Sequence, residues 1–291
     1  MQNLFIFTNT FLLMEFISLK DFKNKKISIT IDMAYNKNNY ELIDYANKLI
    51  TKGLFNKYIE YDSFCKETYD TIYIPSSVYP ETITKLKHTK FNEIILLEEG
   101  MYDYVSGELV HTEPEIFLNR IKYVNNPEKS LFNELYKEIN KINFDEETLS
   151  IIKEILTDDL KLLPGKLDLI VFTDPLDIDF GFKHKNILIK KLEKEYTGKN
   201  ILFKKHPRDL NNYKSNKYNY FENSNISGQI IEKLYDCEKV FIYPSTILLT
   251  IENLSKIKLF TFDIKDKKYE EIINSDIIKE IEKININQLL I

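Results

Sequence analysis

The residues best suited to chemistry lie first in Ile201-Leu-Phe-Lys-Lys-His-Pro-Arg-Asp209. Three apolar residues able to leave a buried sheet are followed by Lys204, Lys205, His206 and Arg208, packed around Pro207. Cationic groups crowded at a strand end make an anion site, because a phosphate or carboxylate there gains charge-assisted hydrogen bonds. Pro207 removes a backbone donor and holds His206 extended, so the imidazole is aimed outward from the carboxyl end of the strand. The competing reading is a solvated basic turn. A second stretch, Glu98-Glu99-Gly100, sets two adjacent carboxylates and a turn-permitting glycine directly after the apolar run Glu93-Ile-Ile-Leu-Leu97. It reads as a base beside a close backbone approach to a ligand, or as a solvated acidic turn. A third, Tyr243-Pro-Ser-Thr246, brings two hydroxyls to a strand end and the start of a helix. Free N–H groups and hydroxyls there can cradle a phosphate, although Ser and Thr are also ordinary helix caps.

These stretches need a scaffold that ends strands beside one another. Leu4–Phe7, Lys26–Ile31, Thr71–Ile74 and Glu93–Leu97 read as strands, separated by helices after Thr8-Asn9-Thr10, from about Asn39 to Leu54 and from Pro80 to Lys87. The segment Glu113–Leu163 reads as mainly helical, with a second helix from about Asp145 to Leu156. Pro164-Gly165 punctuates the chain, and the alternation resumes. Strands are expected at Leu167–Phe172, Ile201–Phe203, Lys239–Tyr243 and Leu259–Phe262, with helices at Lys185–Thr197, Ser227–Tyr235 and after Ser245. Short apolar strands alternating with helices give a parallel α/β fold, with domains at 1–160 and 161–291. Two similar α/β halves suggest a nucleotide-sugar transferase of the GT-B type: two Rossmann-like domains whose parallel sheets face a central cleft, with ligands beyond the carboxyl ends of the strands.

Composition narrows the partners. A chain of 291 residues with 43% hydrophobic content can bury two cores, and a net charge of -5 argues against nonspecific nucleic-acid binding. Cys65 and Cys237 lie far apart without metal-ligand spacing, as reduced thiols in a cytoplasmic protein do. The apolar start, Met1 to Leu19, lacks a basic n-region and is interrupted by Thr8, Asn9, Thr10 and Glu15. It reads as neither a signal peptide nor a membrane span, which leaves peripheral association at the inner membrane face as the membrane contact to expect.

In this order, Glu98-Glu99-Gly100, His206-Pro207 and Ser245-Thr246 resemble the (D/E)(D/E)G, HP and Ser/Thr motifs of the bacterial sialyltransferases of glycosyltransferase family 52. Phe172-Thr-Asp-Pro-Leu-Asp-Ile-Asp179 looks like the Gln-Pro-Leu-containing strand end that opens the second domain in that family, with Asp174 where Gln is common. The resemblance implies inverting transfer of sialic acid from CMP-sialic acid to a terminal galactose of a bacterial surface glycan such as lipooligosaccharide or capsule. It implies an α2,3 linkage, no metal and no other cofactor. It assigns the base to Glu99, with Glu98 as understudy and Asp179 as a third candidate. His206, aided by Lys205, Pro207, Arg208, Ser245 and Thr246, would hold the leaving CMP phosphate, and Gly100 would let the backbone turn toward the acceptor. Related enzymes often carry a nucleotide-contacting Glu between the HP and Ser/Thr motifs; Gln229 is the best match here. Family members form domain-swapped dimers, so Glu113–Leu163 is where a homodimer contact is expected. A hexosyltransferase with another nucleotide-sugar donor and a non-catalytic glycan-binding protein are the alternatives.

Overall fold

The computed structural model describes residues 2–20, 25–34, 41–98, 115–125, 127–128, 130, 133–160, 166–215, 217–221, 226–251, 253–275 and 278–286. The chain divides into two compact units, Met1–Asp158 and Asp159–Ile291. The division read from the sequence was at 160/161; the Pro164-Gly165 that suggested it lies outside the described residues.

In the first unit, β1 (Gln2–Phe7), β2 (Ile27–Ile31), β3 (Lys57–Tyr58), β4 (Thr68–Pro75), β5 (Lys90–Leu97), β6 (Ile121–Val124) and β7 (Glu138–Lys141) form one sheet. All its pairs are parallel, in the order β3-β2-β1-β4-β5-β6-β7. Parallel strands covered on both faces read as continuous apolar runs. Leu4 and Ile6 join Ile72, Ile74, Ile94 and Leu96 in one layer, together with Phe64, Tyr69 and Phe117. Phe5, pointing the other way, stacks on Phe16 at 4.5 Å and on Phe55 at 5.5 Å. Phe16 is supplied by α1 (Thr10–Ser18), whose first turn is closed by Asn9 Oδ1 accepting from the Leu12 N–H at 3.0 Å. The unit also carries α2 (Glu41–Thr51), α3 (Pro80–Lys87) and α4 (Glu146–Leu160).

One expectation is overturned here. Glu113–Leu163 is not mainly helical: among its described residues β6 and β7 precede α4, and only the latter is a long helix. Lys122 hides the strand character of β6. It is fully buried, donates to Tyr136 Oη at 3.1 Å and lies 4.5 Å from that ring's centre, so a charged residue occupies an inward position that pattern reading reserves for apolar ones.

The second unit contains β8 (Leu169–Phe172), β9 (Ile201–Lys204), β10 (Asn219–Phe221), β11 (Glu238–Phe241), β12 (Ile257–Thr261) and β13 (Glu282–Asn285). They pair in parallel in the order β10-β9-β8-β11-β12-β13. Helices α5 (Leu176–Asp179), α6 (Lys185–Glu195), α7 (Gly228–Leu234) and α8 (Lys267–Ile273) complete it. Val171, Phe203, Val240 and Phe260 pack on one face, while Phe172 and Phe241 stack at 4.7 Å with rings 9° apart. Gly228 at the start of α7 is closely packed: a Cβ there would come within 2.3 Å of Ile247 Cδ1 and 3.3 Å of Phe172 Cδ1, so the Ile247 side chain would have to move.

Each sheet reverses its strand order once, between β1 and β4 in the first unit and between β8 and β11 in the second. That is the arrangement of a doubly wound α/β fold, in which ligands bind beyond the carboxyl ends of the strands flanking the reversal. No helix among the described residues is long and apolar enough to cross a membrane.

Candidate functional site

The reversal in the second unit is where the sequence-selected residues gather. Strand β8 is central: Phe172 is opposite Lys204 of β9 on one side and Phe241 of β11 on the other. Past the end of β8, the Thr173 N–H donates to Lys204 O at 3.2 Å, and Thr173 Oγ1 accepts from the His206 N–H at 3.4 Å. The His-Pro turn is therefore tied to the strand that borders the reversal.

His206 is held in one tautomer. Its Nδ1 accepts the Arg208 backbone N–H at 3.1 Å, so the ring proton of the neutral form sits on Nε2. Burial, with Arg208 and Lys204 adding positive charge, lowers its pKa to about 4, against the smaller pull of Asp179 and Asp209. His206 was read as one of the cationic groups of the anion site; it is instead a neutral donor near pH 7, because desolvation outweighs the nearby carboxylates.

Two of the neighbouring cations are already committed. Arg208 makes a bidentate pair with Asp179, Nη1 to Oδ1 at 2.8 Å and Nη2 to Oδ2 at 3.1 Å. Asp179, the third base candidate, thus has both oxygens engaged. Lys204 is 4% exposed, donates to Lys205 O at 3.2 Å and lies 5.6 Å from the Phe221 ring centre; its pKa is lowered to about 8, chiefly by desolvation. Lys205 is half-buried, and Pro207 is exposed.

Downstream of β11, Ser245 Oγ accepts the Ile247 N–H at 3.2 Å and caps a 3₁₀ helix, Thr246–Thr250. An α-helix was expected there. Five residues of 3₁₀ geometry align few peptide dipoles, so the anion-holding power of a long helix terminus is missing, although the Ser245 O–H can still donate. The side chain of Thr246 lies outside the described set. Gln229 is buried on α7.

Three residues matter here that the sequence did not single out for a role. Asp174 is 6% exposed and its pKa is raised well above the usual carboxylate range by burial, then by Asp209 and Asp179, with Arg208 opposing. Tyr243 stacks on Tyr269 at 5.7 Å; burial and the charges of Asp174 and Asp179 push its phenol pKa up. Asp209, fully buried, accepts from Asn211 N at 2.9 Å and from Tyr213 Oη at 3.0 Å. Since the single Tyr213 proton goes to Asp209, His184 Nε2, 2.8 Å from Tyr213 Oη, is the donor in that contact. This buried chain fixes the loop that follows His206, whose carbonyl accepts the Asp209 N–H at 3.0 Å. Position just past a strand end was the one signal for Asp174 and Tyr243; nothing local marks His184.

In the first unit, Glu98 follows β5 and is fully buried. Its Oε2 accepts the Asn125 N–H at 2.6 Å, while Asn125 Nδ2 donates to Glu15 Oε1 at 3.1 Å. Glu98 thus orients the ends of β5 and β6 and is withdrawn from solvent. Glu99 and Gly100 lie outside the described residues. The spelling Asp177-Ile-Asp179 is a short helical turn in which Asp179 meets Arg208, while Asp177 contributes to the field at His184 and Tyr213.

The class these features define is a chain of two doubly wound parallel α/β units, the second with a histidine site at its strand-order reversal. No protein-family model and no curated protein matches the chain.

Proposed function

We propose that the chain is an inverting glycosyltransferase of the GT-B type that moves sialic acid from CMP-sialic acid to a terminal galactose, without a metal. The observation that carries this reading is the position of His206: past the end of β9, tied to β8 at the reversal, with Nδ1 occupied and Nε2–H left to donate. The leaving group is a phosphate monoester, already a stable anion. A hydrogen bond aimed at the oxygen that gains charge therefore suffices, and preorganised donors of this kind are the largest single source of catalysis in many enzymes. The Ser245 hydroxyl is a second donor to the same phosphate. The phosphate's own charge would draw the His206 pKa upward once bound, allowing proton transfer as the bond breaks.

Metal independence has a physical support as well. Arg208 holds both oxygens of Asp179, the residue that an Asp-x-Asp metal site would need. On this reading Glu99 is the base for the acceptor hydroxyl and Glu98 the residue that positions it. Calorimetric titration with CMP, UDP and GDP tests the donor: CMP binding in preference to the others is the expected result. Preference for UDP or GDP would transfer the reading to a hexosyltransferase, and binding of none would leave a glycan-binding protein.

A further inference from the structure

Arg120 and Arg208 are the only arginines in a sequence that holds 40 lysines and arginines. Lysine does not replace arginine where a planar fork must meet an oxyanion, and Arg208 already stands beside His206. Arg120 lies in the first unit, immediately before β6. There it borders a cavity of about 150 Å³ that Asn92, Glu93, Asn119 and Lys137 also line. An offset between strands makes this cavity. Ile121, the first residue of β6, is opposite Ile95, so Lys90–Ile94 of β5 run past the start of β6. The facing wall is held by backbone hydrogen bonds. Asn119, at φ 57 in the left-handed region that asparagine tolerates, donates its N–H to Leu135 O at 2.7 Å, and the Lys137 N–H donates to Arg120 O at 3.0 Å.

The Arg120 guanidinium is fixed without being neutralised. Its Nε donates to Ile116 O at 3.2 Å, and its Cζ lies 5.7 Å from the centre of the Phe91 ring. The residue is half-buried, and among the described residues it meets no carboxylate; Lys137 and Glu93 have no ion pair there either. A guanidinium held in one place without a counter-charge is preorganised for an oxyanion, which can take two parallel N–H groups at once. We propose that this cavity is a second oxyanion-binding site, for a small phosphate or carboxylate held by Arg120 and Lys137. A volume of this order holds a molecule of about six non-hydrogen atoms. Glu93 repels a bare anion but accepts from one that carries its own O–H, so monoprotonated phosphate is favoured over acetate. The site is independent of the chemistry assigned to His206.

Nuclear magnetic resonance of the two guanidinium Nε–H groups tests it on the full wild-type chain, since each arginine reports on one site. Inorganic phosphate and acetate are the probes, at an ionic strength held constant with chloride. The Arg120 signal should move saturably with phosphate and more weakly with acetate. Lys137→Ala, a change at an exposed residue that leaves the Arg120 reporter in place, should weaken the phosphate response about tenfold, as the loss of a hydrogen bond between charged groups does. A stronger response to acetate would still support the oxyanion site and assign it to carboxylates. An Arg120 signal that neither probe moves, or that chloride moves equally, would overturn the site, as would a phosphate response unchanged in Lys137→Ala. Movement of the Arg208 signal alone would overturn this site and leave the reading of the His206 site intact; movement of the Arg120 signal alone would support it and count against an anion seat at His206.

Discussion

The Arg208 backbone N–H donates to His206 Nδ1 at 3.1 Å, so the residue that follows the proline sets the tautomer of the one before it. Arg208 has a second task in its side chain, which clamps Asp179. One residue thereby fixes both the donor direction of the histidine and the charge state of its surroundings.

The depressed His206 pKa makes stability depend on acid. The unfolded chain protonates near pH 6.5 and the folded one only near pH 4, so this residue's stabilisation is present above about pH 6.5 and is lost as pH falls from there to about 4. His206→Asn should flatten that part of the stability curve, as followed by urea unfolding at several pH values. Titration of the imidazole by nuclear magnetic resonance should in turn show its pKa raised once CMP is bound, because the phosphate charge opposes desolvation.

Asp174 has the opposite sign. Its folded pKa lies above the unfolded value of 3.8, so its stabilisation is full below that pH and declines as pH rises from there toward the folded pKa. Asp174→Asn carries no such loss. The variant should melt above wild type at pH 7 and together with it below about pH 4. Thermal melts across that range check both ends.

Asn125 links two buried carboxyl groups, through its N–H to Glu98 and its Nδ2 to Glu15. Asn125→Ala takes away the second link only, and should destabilise the first unit by about 1–3 kcal/mol in denaturant unfolding. Asn125→Asp replaces a donor by a third acceptor in the same buried place and should cost more.

The asymmetry of the acidic pair is a kinetic prediction. Glu99→Gln should reduce the turnover number by about 10²-fold or more with little change in CMP affinity. Glu98→Gln keeps an oxygen able to accept from Asn125 and should cost less. Equal mild losses would reduce the pair to a structural turn.

Legibility in the sequence followed burial. The eight strands read from apolar runs are β1, β2, β4, β5, β8, β9, β11 and β12, and the strands not read include all four sheet edges, β3, β7, β10 and β13. Edge strands such as Lys57-Tyr58 and Glu138-Ile-Asn-Lys141 are short and polar because one side faces no partner strand, so they carry no apolar signal. At the site, His206 stood out because proline and charge frame it within nine residues. The Asp209–Tyr213–His184 chain did not, because its members meet only after folding, and the engagement of Asp179 by Arg208 spans 29 residues.

The central claim is that His206 assists departure of CMP from CMP-sialic acid without a metal. The direct measurement is the rate of CMP release from CMP-sialic acid with lactose as acceptor, in EDTA, for wild type and His206→Ala. Turnover by the wild type, lowered about 10²–10⁴-fold in a variant that still folds, is the result predicted. Unchanged turnover in His206→Ala, or activity that EDTA abolishes and Mg²⁺ restores, would contradict it.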